Sequence, residues 1–186
     1  ITAITKAAPG VLSATGHTFA NGDTVLLEIQ GMVELHGYLC KVVNVVASTS
    51  FQVAGVDGTA GIDTTLFSTF SSGTAKKVTL GTSIVGVQEF AFAGGEIKTT
   101  DTTTVNDTVD TQIVVGATAQ SADMTMQWDP SAAAQQAMIT AFKTRSNKGF
   151  KVLWPDGAFA MWYGTVGYTG APGGGKQGVT TSPAKI

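Results

Sequence analysis

The stretch from Glu96 to Gln120 constrains this chain more than any other. It is rich in Thr and Asp and poor in residues that could pack, apart from a short apolar return at Ile113–Val115. Compact domains seldom carry so long a connection without packed structure unless it is functional or disordered. Its Thr and Val content allows extended backbone, so the expected form is a two-stranded arm. With few core residues, such an arm does not hold itself together. Strand addition to another chain is the economical way for it to gain order.

The rest of the sequence has the material for a core. Of 186 residues, 43% are hydrophobic, enough to exclude general disorder. Only 13% are charged, about half the usual share. Such a surface suits a protein that buries much of itself against its own copies, although Thr-, Ser- and Gly-rich β proteins also run low in charge. The formal net charge of -2 gives no basic footprint for nucleic acid. No apolar run reaches the length of a membrane span. Neither a secretory signal nor an initiator Met opens the chain, so the natural start is expected upstream of Ile1 or lost to trimming.

Short β-branched runs separated by turn residues predict a mainly β fold. Thr24–Gln30, Leu39–Val46 and Ser50–Ala54 read as strands, punctuated by Asn21-Gly22-Asp23, Gln30-Gly31 and Asp57-Gly58. Residues 1–78 therefore form an expected small β-barrel module, closed by Ser71-Ser72-Gly73-Thr74. Residues 79–186 form an expected second domain. There Val85–Ala93 alternates as a strand, and Met124–Trp128 is the next. Asp129-Pro130 suits a helix start, with Asp as cap. Ala132–Lys143 follows without Gly, which places a helix over about 130–145. Ala134, Met138, Ala141 and Phe142 fall on one helical face and read as core. Pro155-Asp156-Gly157 between Phe150–Trp154 and Ala158–Gly164 is the strongest hairpin signal. Val179–Ile186 reads as a last strand.

Catalytic chemistry is missing from the sequence. His17 and His36 are the only histidines, and Cys40 the only cysteine, so no internal disulfide is available. Cys40 with His36 gives an H-x3-C pair, but nothing completes a zinc site, and no metal or cofactor is expected. Asp101, Asp107 and Asp110 lack EF-hand spacing. No G-x-S-x-G elbow is present. Gly170–Gly178 has Lys176 after three glycines, but Gln177 stands where a phosphate loop needs Ser or Thr after the lysine. The expectation is a protein without enzymatic activity.

Charge is unevenly distributed. Glu96, Asp101, Asp107, Asp110, Asp123 and Asp129 are opposed only by Lys98, whereas Lys143, Arg145, Lys148 and Lys151 have no acid among them. Opposite patches on one subunit favour head-to-tail association, which closes as rings or continues as filaments. The candidate interface or lumen residues are therefore Glu96, Asp101, Asp107, Asp110, Asp123, Lys143, Arg145, Lys148 and Lys151.

From Asp123 onward the chain resembles the lambda-type tail tube proteins of long-tailed (siphovirus) bacteriophages. The features, in order, are Met124-Thr125-Met126-Gln127-Trp128, a Gln- and Ala-rich helix through Met138 to Phe142, the Pro155-Asp156-Gly157 hairpin, and Trp162-Tyr163-Gly164-Thr165-Val166. The polar Glu96–Gln120 segment lies where that family places its long inter-subunit loop, and the likeness covers roughly Val85–Ile186. Separately, Ala14–Asp23 and Gly31–Gly37 are similar to a small β-barrel repeat of phage structural proteins, named for its likeness to a domain of ubiquitin-activating enzymes. By resemblance that module lies on the outer surface, as an insertion after a first strand of the tube domain.

The resemblance implies a tail-tube β-sandwich or barrel with one flanking helix. It implies homohexameric rings stacked around a tape-measure protein into a conduit that DNA crosses on ejection. Tail terminator and tail-tip proteins are the implied partners, the virion tail the location, and the host cytoplasm the place of assembly. An acidic lumen would limit sticking of the DNA backbone. The alternative is a decoration or glycan-binding module, for which Trp154, Trp162 and Tyr163 would have to supply an aromatic platform. A tail-attached hydrolase lacks any motif to support it.

Overall fold

The structure is a computed structural model and describes residues 1–54, 61–104, 108–174 and 178–186. The Asp57-Gly58 turn, Asp107 and the Lys176-Gln177 pair lie outside the described residues. In chain order the first elements are β1 (Ala3–Ile4), β2 (Leu12–Ser13), β3 (Thr24–Gln30), a 3-10 turn (Val33–Leu35), β4 (Leu39–Val46), β5 (Ser50–Val53) and β6 (Ser72–Lys77). Then come β7 (Val87–Ala93), β8 (Ile97–Asp101), β9 (Gln112–Ala117), β10 (Ser121–Gln127), α1 (Ala133–Thr144), β11 (Lys148–Leu153), β12 (Phe159–Gly164) and β13 (Thr181–Lys185). The fold is mainly β, as expected. The chain divides into two compact units, Ile1–Gly81 with Asn147–Gly164, and Thr82–Ser146 with Thr165–Ile186. The β11–β12 hairpin thus groups with the N-terminal segment, whereas the sequence pattern had placed it in the second.

The first unit is a six-stranded antiparallel sheet in the order β1-β2-β5-β4-β3-β6. Period-2 alternation on β3 turns Val25, Leu27 and Ile29 into a core shared with Leu12, Met32, Leu35, Val42, Phe51 and Val53. A bulge in β4 between Val43 and Val46, with Asn44 at φ 48, increases the curl. The two sheet edges approach, and the Ile1 nitrogen donates to the Gly73 carbonyl at 3.0 Å. Leu26 and Leu39, cross-strand partners on the other face, are also buried. The hairpin accounts for this: Gly149 of β11 comes so close to Leu39 and Val78 that a side chain there would crowd both. The Thr64 hydroxyl, fully buried, donates to the Thr5 carbonyl at 2.7 Å and accepts the Ala7 N–H at 3.2 Å, which fastens the loop before β6 to the loop after β1.

Ser72–Lys77 is a strand, not the closing loop that its Ser and Gly content suggested. It pairs with β3 along its whole length. As an edge strand it needs little apolar content, and its lysines discourage further pairing. Lys77 secures its end by donating to the Asp23 carboxylate at 2.8 Å. That bond, with the Ala20 N–H, holds the Asp23 carboxyl below its ordinary value. A carboxyl depressed on folding adds stability that is present above its unfolded pKa of about 4 and lost as pH falls through the folded value. Asp23→Asn is therefore expected to flatten the loss of stability on acidification below about pH 4. Urea midpoints at neutral and acid pH test this; an unchanged difference between the two would show that the bond is not coupled to folding.

In the second unit, β13, β10 and β7 form a three-stranded antiparallel sheet. Ala122, Met124 and Met126 of β10 and Ser182 and Ala184 of β13 are buried. The helix buries Ala134, Gln135, Met138 and Ala141. Two details differ from the sequence pattern. Phe142 is 43% exposed, so the buried stripe runs through Gln135 instead. Asp129 does not cap the helix: the N-cap is Ala132, and Asp129 Oδ1 accepts the N–H and the hydroxyl of Ser131 in the turn before it. Gln135 is tolerated inside because both ends of its amide are hydrogen-bonded. Its Nε2 donates to the Gln127 carbonyl at 2.6 Å, and its Oε1 accepts the Asp129 N–H at 3.1 Å and the Tyr168 hydroxyl at 2.8 Å. One side chain thus ties the helix to the end of β10 and to the segment after β12.

Candidate assembly surface

The Glu96–Gln120 segment is the outer half of one long hairpin. β7 pairs with β10 from Ala93↔Ser121 inward, and β8 pairs with β9 from Ile97↔Ala117 outward. Between the halves the backbone breaks at Gly94 (φ 90) and Gly95 (φ 79), a region that favours glycine. Gly94 passes so close to the Ala119 carbonyl that a Cβ would collide with it. The arm restarts with the Gly95 N–H donating to the Thr118 carbonyl at 3.1 Å and the Thr118 N–H to the Glu96 carbonyl at 2.8 Å. Farther out, the Thr102 N–H donates to the Thr111 carbonyl at 2.9 Å.

Among the described residues β8 and β9 pair only with each other, and every residue in them is exposed. Ile97 and Val114 are 67% exposed, Val115 58% and Ile113 55%. These residues favour strands because they fit a pleated, half-buried surface, and among the described residues of this unit nothing covers them. Successive residues alternate faces, so both sides of the arm carry exposed apolar side chains, which suits contact with a partner. The sequence pattern had drawn attention to the acids here, whereas the β-branched group is what distinguishes the surface. The signal was present in the Ile113–Val115 run.

The structure brings four of the predicted acids onto this hairpin. Glu96 lies at the break, Asp101 ends β8, Asp110 precedes β9, and Asp123 is on β10. The Asp101 carboxyl is held below its ordinary value, first by the Thr103 hydroxyl at 2.6 Å and then by the Thr103 N–H at 2.8 Å. Asp123 faces Lys185 across the strand pair at 3.6 Å. The basic residues do not form one patch within a unit. Lys143 and Arg145 are at the C-terminal end of α1 in the second unit, and Lys148 and Lys151 are on β11 in the first. Lys151 is engaged, with its ammonium 5.2 Å from the centre of the Phe159 ring.

Other candidate chemistry is occupied structurally. Burial pushes the Cys40 thiol up to about 12. Nδ1 of His36 accepts the Ile29 N–H at 3.2 Å, and Nδ1 of His17 accepts the Phe19 N–H at 3.3 Å. Among the described residues no group of three or more His, Cys, Asp or Glu is placed to hold a metal ion, and no helix is long and apolar enough to cross a membrane. Trp162 stacks on Phe150 with ring centres 5.7 Å apart. Its neighbour Tyr163 pairs with Gly149 and so points to the other face of the hairpin. Trp154, Trp162 and Tyr163 therefore do not make one flat platform.

A search among curated proteins finds no match. The family described as "Phage tail tube protein, TTP" matches residues 31–186. That match begins just after β3 and takes in β4–β6, so it reaches well into the segment that the sequence pattern had set apart as its own module. The chain belongs to the phage tail tube protein family: it is a structural, non-enzymatic subunit of the virion tail, made to assemble with its own kind.

Proposed function

We propose that copies of this chain close into hexameric rings and that the rings stack head to tail as the conduit through which DNA leaves the virion. The single observation that carries this reading is the β8–β9 arm, a pair of strands with exposed β-branched residues and, among the described residues, no third strand. An isolated two-stranded hairpin is marginal in water. Edge-to-edge pairing with a neighbouring copy gives its outward N–H and C=O groups partners and covers its apolar side chains. The hexamer number and the partners come from the resemblance to lambda-type tubes: a tape-measure protein inside, and terminator and tip proteins at the ends. The arm carries Glu96, Asp101 and Asp110 against Lys98. A net-negative wall repels the DNA backbone and keeps passage free of phosphate contacts. The six-stranded sheet of the first unit serves as the outward module.

Electron microscopy of the purified chain over a range of concentrations tests the proposal. Tubes built of sixfold rings are the expected result. A chain that stays monomeric at high concentration, or that closes into symmetric dimers, overturns it.

A further inference from the structure

A cavity of about 400 Å³ opens over one face of the β7–β10–β13 sheet. Its lining includes Glu89, Ala91, Asp123, Thr125, Pro183 and Lys185. The register places Glu89 beside Thr125 and Thr125 beside Pro183, with Ala91, Asp123 and Lys185 in the next row. Short side chains form the floor, which leaves room for a long one to enter. The charges around that space do not balance. Two carboxylates face one ammonium, and the Asp123–Lys185 pair is 3.6 Å apart with both side chains about half exposed. An ion pair so wet is weak and exchanges easily. The Glu89 carboxylate has no hydrogen bond or ion pair among the described residues, so the cavity lacks one positive group.

The same unit has a positive group without an ion-pair partner among the described residues. Arg145 is the only arginine in the chain. It is exposed at the C-cap of α1, with φ 50 and ψ 37, where glycine is the usual residue. Its backbone N–H is bound to the Ala141 and Phe142 carbonyls, which fixes the root of the side chain. Among the described residues the guanidinium makes no ion pair. A planar fork of donors suits a site with two acceptor carboxylates better than a lysine ammonium does.

We propose that Arg145 of one copy enters the Glu89–Asp123 cavity of a second copy. Donor and socket are different parts of the same unit, so the contact is head to tail and propagates as a ring or filament. The inference rests on the tube reading and adds a specific lock to it, separate from the arm.

The test uses the full chain, with wild type run in parallel, and reads the threshold concentration for tube formation. Arg145→Gly relieves the left-handed backbone, so its melting temperature is expected at or above that of wild type, yet its threshold should rise about tenfold or more. Glu89→Arg should raise the threshold similarly. Combining Glu89→Arg with Arg145→Glu should restore it to within about threefold of wild type, because the charges are exchanged, not lost. Arg145→Gly assembling at the wild-type threshold overturns the lock alone. So does a charge exchange no better than its single variants, or Glu89→Arg tubes that form normally but pass DNA differently, which would place this face on the channel. Wild type that never polymerises overturns the tube reading and the lock with it.

Discussion

Excision of Ile97–Ala117 is expected to yield a folded, soluble chain that forms no tubes. The cut joins Glu96 to Thr118, which already exchange a backbone hydrogen bond, so β7 and β10 keep a short loop between Ala93 and Ser121. None of the described residues removed is buried, so none of them gives up a core contact. Loop length alters folding free energy only logarithmically, and the melting temperature should change by no more than a few degrees. Assembly should fail completely, because the excised strands supply the exposed pairing edges and the β-branched group. Sedimentation and electron microscopy provide the readout. Tubes of normal appearance from the shortened chain would remove the arm from any account of assembly.

Tyr168→Ala should have the largest effect on folding. Tyr168 is 1% exposed, and its hydroxyl donates to Gln135, which in turn holds Gln127 and Asp129. Removing the ring leaves a cavity and withdraws one bond from a buried amide, for a loss of about 3–5 kcal/mol. Domains of this size are stable by only about 5–15 kcal/mol, so the melting temperature should fall by roughly 10 °C. Tyr168→Phe keeps the packing and removes only the hydroxyl, and should cost about 1 kcal/mol. Thermal melts of the two variants separate packing from hydrogen bonding. If both variants lose the same amount, the hydroxyl and not the ring holds the unit together.

What the sequence disclosed follows from how local each signal is. β3, β4, α1 and the β11–β12 hairpin were legible because period and turn chemistry lie within a dozen residues. The two-stranded character of the arm was legible too, since Thr and Val in a segment without packing residues leave extended backbone as the main option. β6 was hidden because an edge strand against an already apolar neighbour needs no apolar pattern of its own. The helix cap was misread because Asp129 has a nearer donor in Ser131. Where the hairpin packs was also not legible. Nothing in the sequence around Gly149 marks a partner, and only the approach of Leu39 and Val78 shows it to be a contact point. At the candidate surface, charge runs were visible. Glu89 was not, because a lone acid in an alternating strand reads as ordinary solvent-facing decoration until its cross-strand neighbours are known.

The burial of Cys40 has a practical consequence. A chain whose sole native thiol stays protonated and sealed gives almost no background with maleimides or mild oxidants. A cysteine introduced at any exposed position then becomes the single reactive handle. Pairs of such handles, one on each of two differently tagged chains, would report which parts of neighbouring copies lie within bonding reach, and so trace the path of the polymer residue by residue.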